Sequence, residues 1–175
     1  LALNFHVDYW NRLNWRDPFS SAAATSRQRA YAAALGTEVF TPELVVDGSQ
    51  GVVGSQRRDV QQALAAARDA RAHGPAIPIT VQLQDGRAAI DVGAGAGAGR
   101  LLIAGYDPKH VTVIGAGENG GRTLTEINLV RGWRDIGAWH GAPLHVLTDL
   151  PRGEQTAVLL QDRLGKVLAA ARLAP

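Results

Sequence analysis

The chain has 175 residues, 46% of them hydrophobic, and a formal net charge of +2. That length allows a sizeable core in one domain or two small ones, and no apolar run reaches the length that spans a membrane. The charges are evenly spread, which excludes a basic face for nucleic acid, and the absence of cysteine excludes disulfides, thiolate metal sites and thiol catalysis within these residues.

The opening run, Leu1-Ala-Leu-Asn-Phe-His-Val-Asp-Tyr-Trp10, reads as a buried strand with no polar cap before it. Such a strand needs sheet neighbours on both sides, so a further segment preceding residue 1 is expected. A loop follows from Asn11 to Phe19, with Trp15 and an Asp17-Pro18 turn signal. Thr25 to Leu35 is rich in helix formers and ends where Gly36 can cap it. Glu43–Val46 and Gly51–Gly54, joined by Asp47-Gly48, predict a hairpin. Ser55 is placed to cap the next helix, whose Val60, Leu64 and Ala67 form one apolar stripe. His73-Gly74-Pro75 stops that helix.

From Pro75 the texture changes to short β-rich runs: 77–84, 88–92, 101–106, 110–114, 123–130, 144–150, 157–161 and 167–172. Turn signals separate them, Asp107-Pro108 among them. About eight strands so spaced predict an antiparallel sandwich or barrel, with a domain boundary near residue 75. The ending, Gly165 to Arg172, reads as strand or as helix.

Gly115-Ala-Gly117-Glu-Asn-Gly120 matches a dinucleotide-binding fingerprint in its letters only. That site needs a helix directly after the glycines to meet the pyrophosphate, and Arg122-Thr-Leu-Thr-Glu-Ile continues as strand. No nucleotide is expected, and the Gly93–Gly99 run reads as a flexible loop. His6 and Asp8 share one face of the first strand. They could form an acid–base pair or supply two metal ligands, and a buried polar pair bonded to backbone or loop is the favoured reading. His110, His140 and His145 lack ligand spacing, and the four tryptophans read as core and interface fillers. No cofactor and no metal ligand set emerges.

Several of these words together, Phe5-His-Val-Asp-Tyr-Trp10, Trp15-Arg-Asp-Pro18, Arg27-Gln-Arg-Ala-Tyr31, Thr41-Pro-Glu-Leu-Val-Val-Asp-Gly48, Val53-Gly-Ser55 and Gly117-Glu-Asn-Gly-Gly-Arg-Thr-Leu-Thr125, resemble the DUF1223 proteins, an uncharacterised bacterial family. The resemblance spans nearly the whole chain. It implies an α/β plus all-β protein: a thioredoxin-like domain over residues 1–75, lacking its first strand and helix, then an antiparallel β-sandwich over residues 76–175. It also implies export, to the periplasm or the medium. Family members carry a Cys-x-x-Cys segment ahead of the point where this sequence starts, and the first strand of such a fold lies between the Leu1–Trp10 strand and the strand after Pro42. The complete form is then expected to perform thiol–disulfide exchange on an unknown protein or peptide. A cis Thr41-Pro42 would present backbone to that partner, with His6, Asp8 and Tyr9 as further lining residues. The rival expectation is a non-catalytic protein-binding module on the same scaffold.

Overall fold

The computed structural model describes residues 1–117 and 119–173, so the Glu118 position of the glycine-rich motif and the last two residues lie outside the described residues. Among these the fold is mainly β, with two α-helices and three antiparallel sheets. Among the described residues, no helix is long and apolar enough to cross a membrane.

The first helix, α1 (Ala22–Leu35), begins where the Ser21 hydroxyl accepts the Ala24 N–H and ends at Gly36, whose φ of 66° is the left-handed cap. It buries Ala24, Thr25, Tyr31 and Ala32, one stripe at helical spacing. A hairpin follows, β1 (Glu43–Val46) and β2 (Gln50–Val53). Its turn includes Gly48 at φ 66°, where a Cβ would stand 2.0 Å from the Gly165 carbonyl oxygen. Only glycine lets the hairpin come this close to the rest of the chain, and there the Val167 N–H donates to the Asp47 carbonyl at 2.8 Å. The second helix, α2 (Arg57–His73), starts at Gln56 with no side-chain cap, so Ser55 does not take the capping role read from the sequence.

The remaining strands are β3 (Ile79–Gln84), β4 (Arg87–Val92), β5 (Gly99–Val113), β6 (Thr123–Trp139), β7 (Leu144–Asp149), β8 (Gln155–Gln161) and β9 (Val167–Arg172). They form sheets of order β3-β4-β7 and β6-β5-β8-β9. The two sheets share one core, in which Ile90 and Val92 meet Leu101, Ile103, Trp139, Val158 and Leu160. The alternation of Ala88, Ile90 and Val92 places all three on the inner face of β4. On β8, Val158 and Leu160 face that core, while Ala157, Leu159 and Gln161 turn to the opposite face, toward α1 and the N-terminal segment.

Several sequence expectations are corrected. Residues 1–10 are not a regular strand. They touch the sheet at an isolated parallel bridge, Asn4 with Leu129, and a second bridge, Val7 with Ser21, before a 3-10 helix at Tyr9–Arg12. One edge of β6 is their main neighbour, and the aromatic Tyr9-Trp10 pair turns instead of extending. The first 75 residues accordingly hold a two-stranded hairpin, two helices and this bridged segment, with no mixed sheet. Asp107-Pro108 is not a turn but lies inside β5. β8 pairs with β5 only as far as Tyr106, and the β5–β6 register passes from Asp107 to Lys109, so no ladder partner needs the missing N–H of Pro108. The ending is strand β9.

Beyond residue 107, β5 and β6 form a two-stranded arm. Thr112, Leu124 and Glu126 face inward on it, while Val111, Val113 and Ile127 are exposed on the other face. The glycine motif is the turn of this arm, and the strand β6 follows it where a nucleotide site would need a helix. A Cβ at Gly115 would come within 2.7 Å of the Trp15 ring, so the motif serves close packing against the Asn11–Phe19 loop.

Ile90 is fully buried at the meeting of the two sheets. Ile90→Ala is expected to cost about 2–5 kcal/mol by lost burial and a residual cavity, measured as a lower denaturant midpoint with the slope unchanged.

Candidate functional site

The N-terminal segment, α1, the β1–β2 hairpin, α2, the inner face of the β5–β6 arm and the outer face of β8–β9 line an open cavity of about 1180 Å³. Pockets for drug-sized ligands run from roughly 300 to 1,000 Å³, so this one has room for a length of chain.

Two backbone edges border it, one on β1 and one on the bridged N-terminal segment. Pro42 O accepts from Gly54 N and Val46 O from Ser49 N, which directs the backbone groups of residues 42, 44 and 46 toward β2. By the alternation of an antiparallel pair, Glu43 and Val45 direct theirs to the opposite edge. Asn4 N donates to Asn128 O, Asn4 O accepts from Val130 N and His6 O from Ser21 N. Leu3 and Phe5 therefore direct their backbone groups away from β6. Among the described residues, neither outward set has a backbone partner.

His6 and Glu126 stand on the cavity wall. The His6 Nδ1–H donates to Asp17 Oδ2 at 2.5 Å, and Nε2 lies 3.3 Å from Glu126 Oε1. Thr112 Oγ1–H donates to the other Glu126 oxygen at 2.5 Å. Burial pulls the His6 pKa down, but the hydrogen bond and charge of Asp17 and the charge of Glu126 outweigh it, and the net shift is upward. Burial pushes Asp17 up, yet its bonds from His6 and from the Phe19 and Ser20 backbone bring it below its ordinary value. The arrangement is an imidazole ring held between two carboxylates that favour its charged form, with the Asn4 side-chain amide 3.2 Å from Nε2. It fixes the N-terminal segment to the loop on one side and to β6 on the other.

Of the residues singled out in the sequence, Thr41, Pro42 and His6 border the cavity. The Thr41-Pro42 bond is cis, and Thr41 Oγ1 accepts from Trp10 Nε1 at 3.1 Å. Asp8 and Tyr9 are not on the wall. Asp8 accepts from Thr25 Oγ1 at 2.5 Å, and Tyr9 donates to Gln28 Oε1 at 3.0 Å, so each braces the N-terminal segment against α1. His6 and Asp8 bond to separate partners and not to each other. His110 packs edge-on against Phe19, His145 bonds to Asp91, and His140 is exposed. Among the described residues, no group of three or more His, Asp or Glu could hold a metal ion.

The sequence reading did not single out Asp17, Glu126, Thr112, Arg27 or Glu43 as functional. Asp17 and Glu126 reach His6 only through the fold. Glu43 borders the cavity with its Oε1 buried and unpartnered, and burial raises its pKa against a hydrogen bond from Gln28. Arg27 had a visible signal, the i, i+4 spacing to Tyr31 on one helix face.

Residues 1–161 match the family model described as "Protein of unknown function (DUF1223)". Comparison with curated proteins finds no match. Among solved structures, the crystal structure of a protein from Agrobacterium tumefaciens, a structural-genomics target, superimposes with a TM-score of 0.80 at 27% identity. The match covers 98% of this chain and 78% of that one.

The His6 clamp sets a pH dependence. A histidine whose pKa is raised on folding contributes stability that is complete below its ordinary value of 6.5 and lost as pH rises through the raised value. The lowered Asp17 contributes above its ordinary 3.8, and that share is lost as pH falls through its folded value. The stability difference between the wild type and His6→Gln, from urea melts at a series of pH values, is expected to be largest between these limits. A difference that grows above neutral pH would contradict the clamp.

Proposed function

Given that the chain belongs to the DUF1223 family, we propose that it is a protein-recognition module whose cavity receives an extended segment by strand addition. The carrying observation is the pair of backbone edges, Leu3–Phe5 on the bridged segment and Glu43–Val45 on β1, that lack backbone partners among the described residues and border one cavity. An added strand would give those N–H and C=O groups the hydrogen bonds they lack, while alternate side chains take up apolar wall. In this reading residues 1–75 are a thioredoxin-like domain and residues 76–175 a β-sandwich, and the protein works in the periplasm or outside the cell. The two helices flanking the hairpin and the shared core of the two sheets support that layout, and the family resemblance supports the location.

A second reading is favoured by the position of Thr41-Pro42 on the same wall. A segment bearing Cys-x-x-Cys, seated in this cavity, would make the complete form a thiol–disulfide oxidoreductase. A thiolate at a helix N-terminus would attack the partner's disulfide, and the partner's segment would lie against Thr41.

The first reading is tested by hydrogen exchange with a nine-residue acetylated and amidated peptide of alternating Val and Thr. Binding is expected to slow exchange at Leu3, Phe5, Glu43 and Val45 and to leave β4 and β8 unchanged. Val45→Pro removes one outward N–H from an edge position, which a strand tolerates, and is expected to weaken binding severalfold. Protection spread elsewhere, or none, would sink the proposal.

The second reading is tested by insulin reduction with dithiothreitol. The 175-residue chain is expected to match the protein-free rate, since none of its side chains can form a mixed disulfide. A longer form with two cysteines beside Pro42 is expected to exceed that rate, and an inactive longer form with exposed cysteines would favour recognition alone.

A further inference from the structure

His6 has a different partner for each of its protonation states. Nδ1–H donates to Asp17 Oδ2 at 2.5 Å, which leaves Nε2 as the nitrogen that gains or loses the proton. Charged, Nε2–H donates toward Glu126 Oε1 at 3.3 Å. Neutral, the bare Nε2 accepts from Asn4 Nδ2 at 3.2 Å and turns a lone pair toward the Glu126 carboxylate. Glu126 belongs to the β5–β6 arm, whose Thr112, Ile114, Leu124 and Glu126 line the cavity. The arm starts where β8 stops pairing with β5, at Tyr106, and the β5–β6 ladder there skips Pro108 and Asn128, the latter at φ 52°. An interrupted ladder lets a two-stranded ribbon bend at that place. Among the described residues, Glu126 with His6 is the only ion pair between residues 109–127 and another part of the chain, since His110 pairs within its own strand with Asp107. The arm otherwise meets the Asn11–Phe19 loop through Gly115 against Trp15 and His110 against Phe19.

We propose that His6 is a proton-operated latch: charged, it fastens the arm to the N-terminal segment through Glu126, and neutral, it turns to Asn4 and lets the arm swing off the cavity wall. The latch is a property of the free protein and does not depend on what the cavity receives. The charged groups that face His6 are Asp17 from the loop and Glu126 from β6. Beyond the Phe19 ring, which meets His6 edge-on at 6.3 Å, stand Arg131 of β6 and His110 of β5, both paired with Asp107. The cap of α1 meets His6 through the Ser21 N–H, and Arg27 of that helix is engaged with the rings of Phe5, Tyr31 and Trp133. Burial pulls the His6 pKa down, but Asp17 and Glu126 outweigh it and carry it above 6.5. Below 6.5 the latch is therefore shut, and it opens as pH rises through the raised value. Asp17 keeps its bond from Nδ1–H in both states, so the loop stays in place while the arm is freed.

The chain has no cysteine, so spin labels can be placed at Val113→Cys on the exposed face of the arm and Ala65→Cys on the exposed side of α2. Pulsed electron paramagnetic resonance then reads the distance between them in samples from about pH 5.5 to about pH 8.5, a range that brackets an ordinary or modestly raised histidine. One distance is expected at the acid end, and a second population is expected to grow severalfold as pH rises. Asn4→Ala removes the partner of the neutral ring and is expected to move the midpoint up. Glu126→Gln removes the charge that favours the charged ring and is expected to move the midpoint down. His6→Gln is expected to abolish the pH response. A distance distribution that does not change with pH overturns the proposal, and so does a midpoint that both the Asn4 and Glu126 substitutions leave in place. Should His6→Gln fail to fold, as circular dichroism would show, the other two variants and the labelled protein itself decide the matter.

Discussion

The Arg27 guanidinium is a point at which parts of the chain far apart in sequence meet. Its three rings come from the N-terminal segment, from α1 itself and from β6, and Gln161 comes from β8. Gln161 also donates to Tyr31 Oη and to the Gly165 carbonyl, so the cluster reaches the β8–β9 turn against which the hairpin rests. Cation–π contacts of this kind are worth about 0.5–2 kcal/mol each, and they are not additive. Their consequence is positional. They hold α1 across the outer face of the sheet and leave a cavity beside it.

The walls of that cavity explain a discrepancy in α2. Val60, Leu64 and Ala67 read as a core-facing stripe, yet Ala63 is the buried residue of that helix, and Leu64 remains 39% exposed. Leu64 and Ala67 line the cavity. An amphipathic helix gains its stability by covering its apolar face, and here part of the face looks onto the open space between the two backbone edges. Apolar side chains and unpaired backbone on the same wall together suit an extended chain. A small polar ligand would satisfy the backbone but not the stripe.

What was legible in the sequence was local. Gly36 closes α1 as a left-handed residue and the Asp47-Gly48 turn fixes the hairpin, so both follow from neighbouring residues, whereas the helix starts at the Ser21 cap, ahead of Thr25, where the helix-forming run was read to begin. The run 88–92 was legible as a strand, and the burial of Ala88, Ile90 and Val92 on its inner face follows from the period of two. The length of β5 was hidden because Pro108 is a turn former in isolation, and its tolerance depends on where β8 stops pairing. The Leu1–Trp10 run is apolar enough for a strand, but how far it pairs depends on a neighbour over a hundred residues away. The same distance conceals the clamp. His6 was visible as an ionisable residue in an apolar run, whereas Glu126 is brought to it only by the bridge at Asn4 and Leu129.

The clamp and the arginine cluster act on the same short stretch. Phe5 is held from one side by Arg27 and Trp133, and the adjoining His6 is held by Asp17 and Glu126. Even-numbered residues 4 and 6 spend their backbone groups on β6 and Ser21, which leaves those of Leu3 and Phe5 turned to the cavity. In the strand-addition reading, an edge already fixed before a strand arrives loses less of the binding free energy to ordering. Two consecutive side chains, Phe5 against the Arg27 guanidinium and the Trp133 ring and His6 between two carboxylates, fix this stretch. Neither anchor uses the outward backbone groups of Leu3 and Phe5.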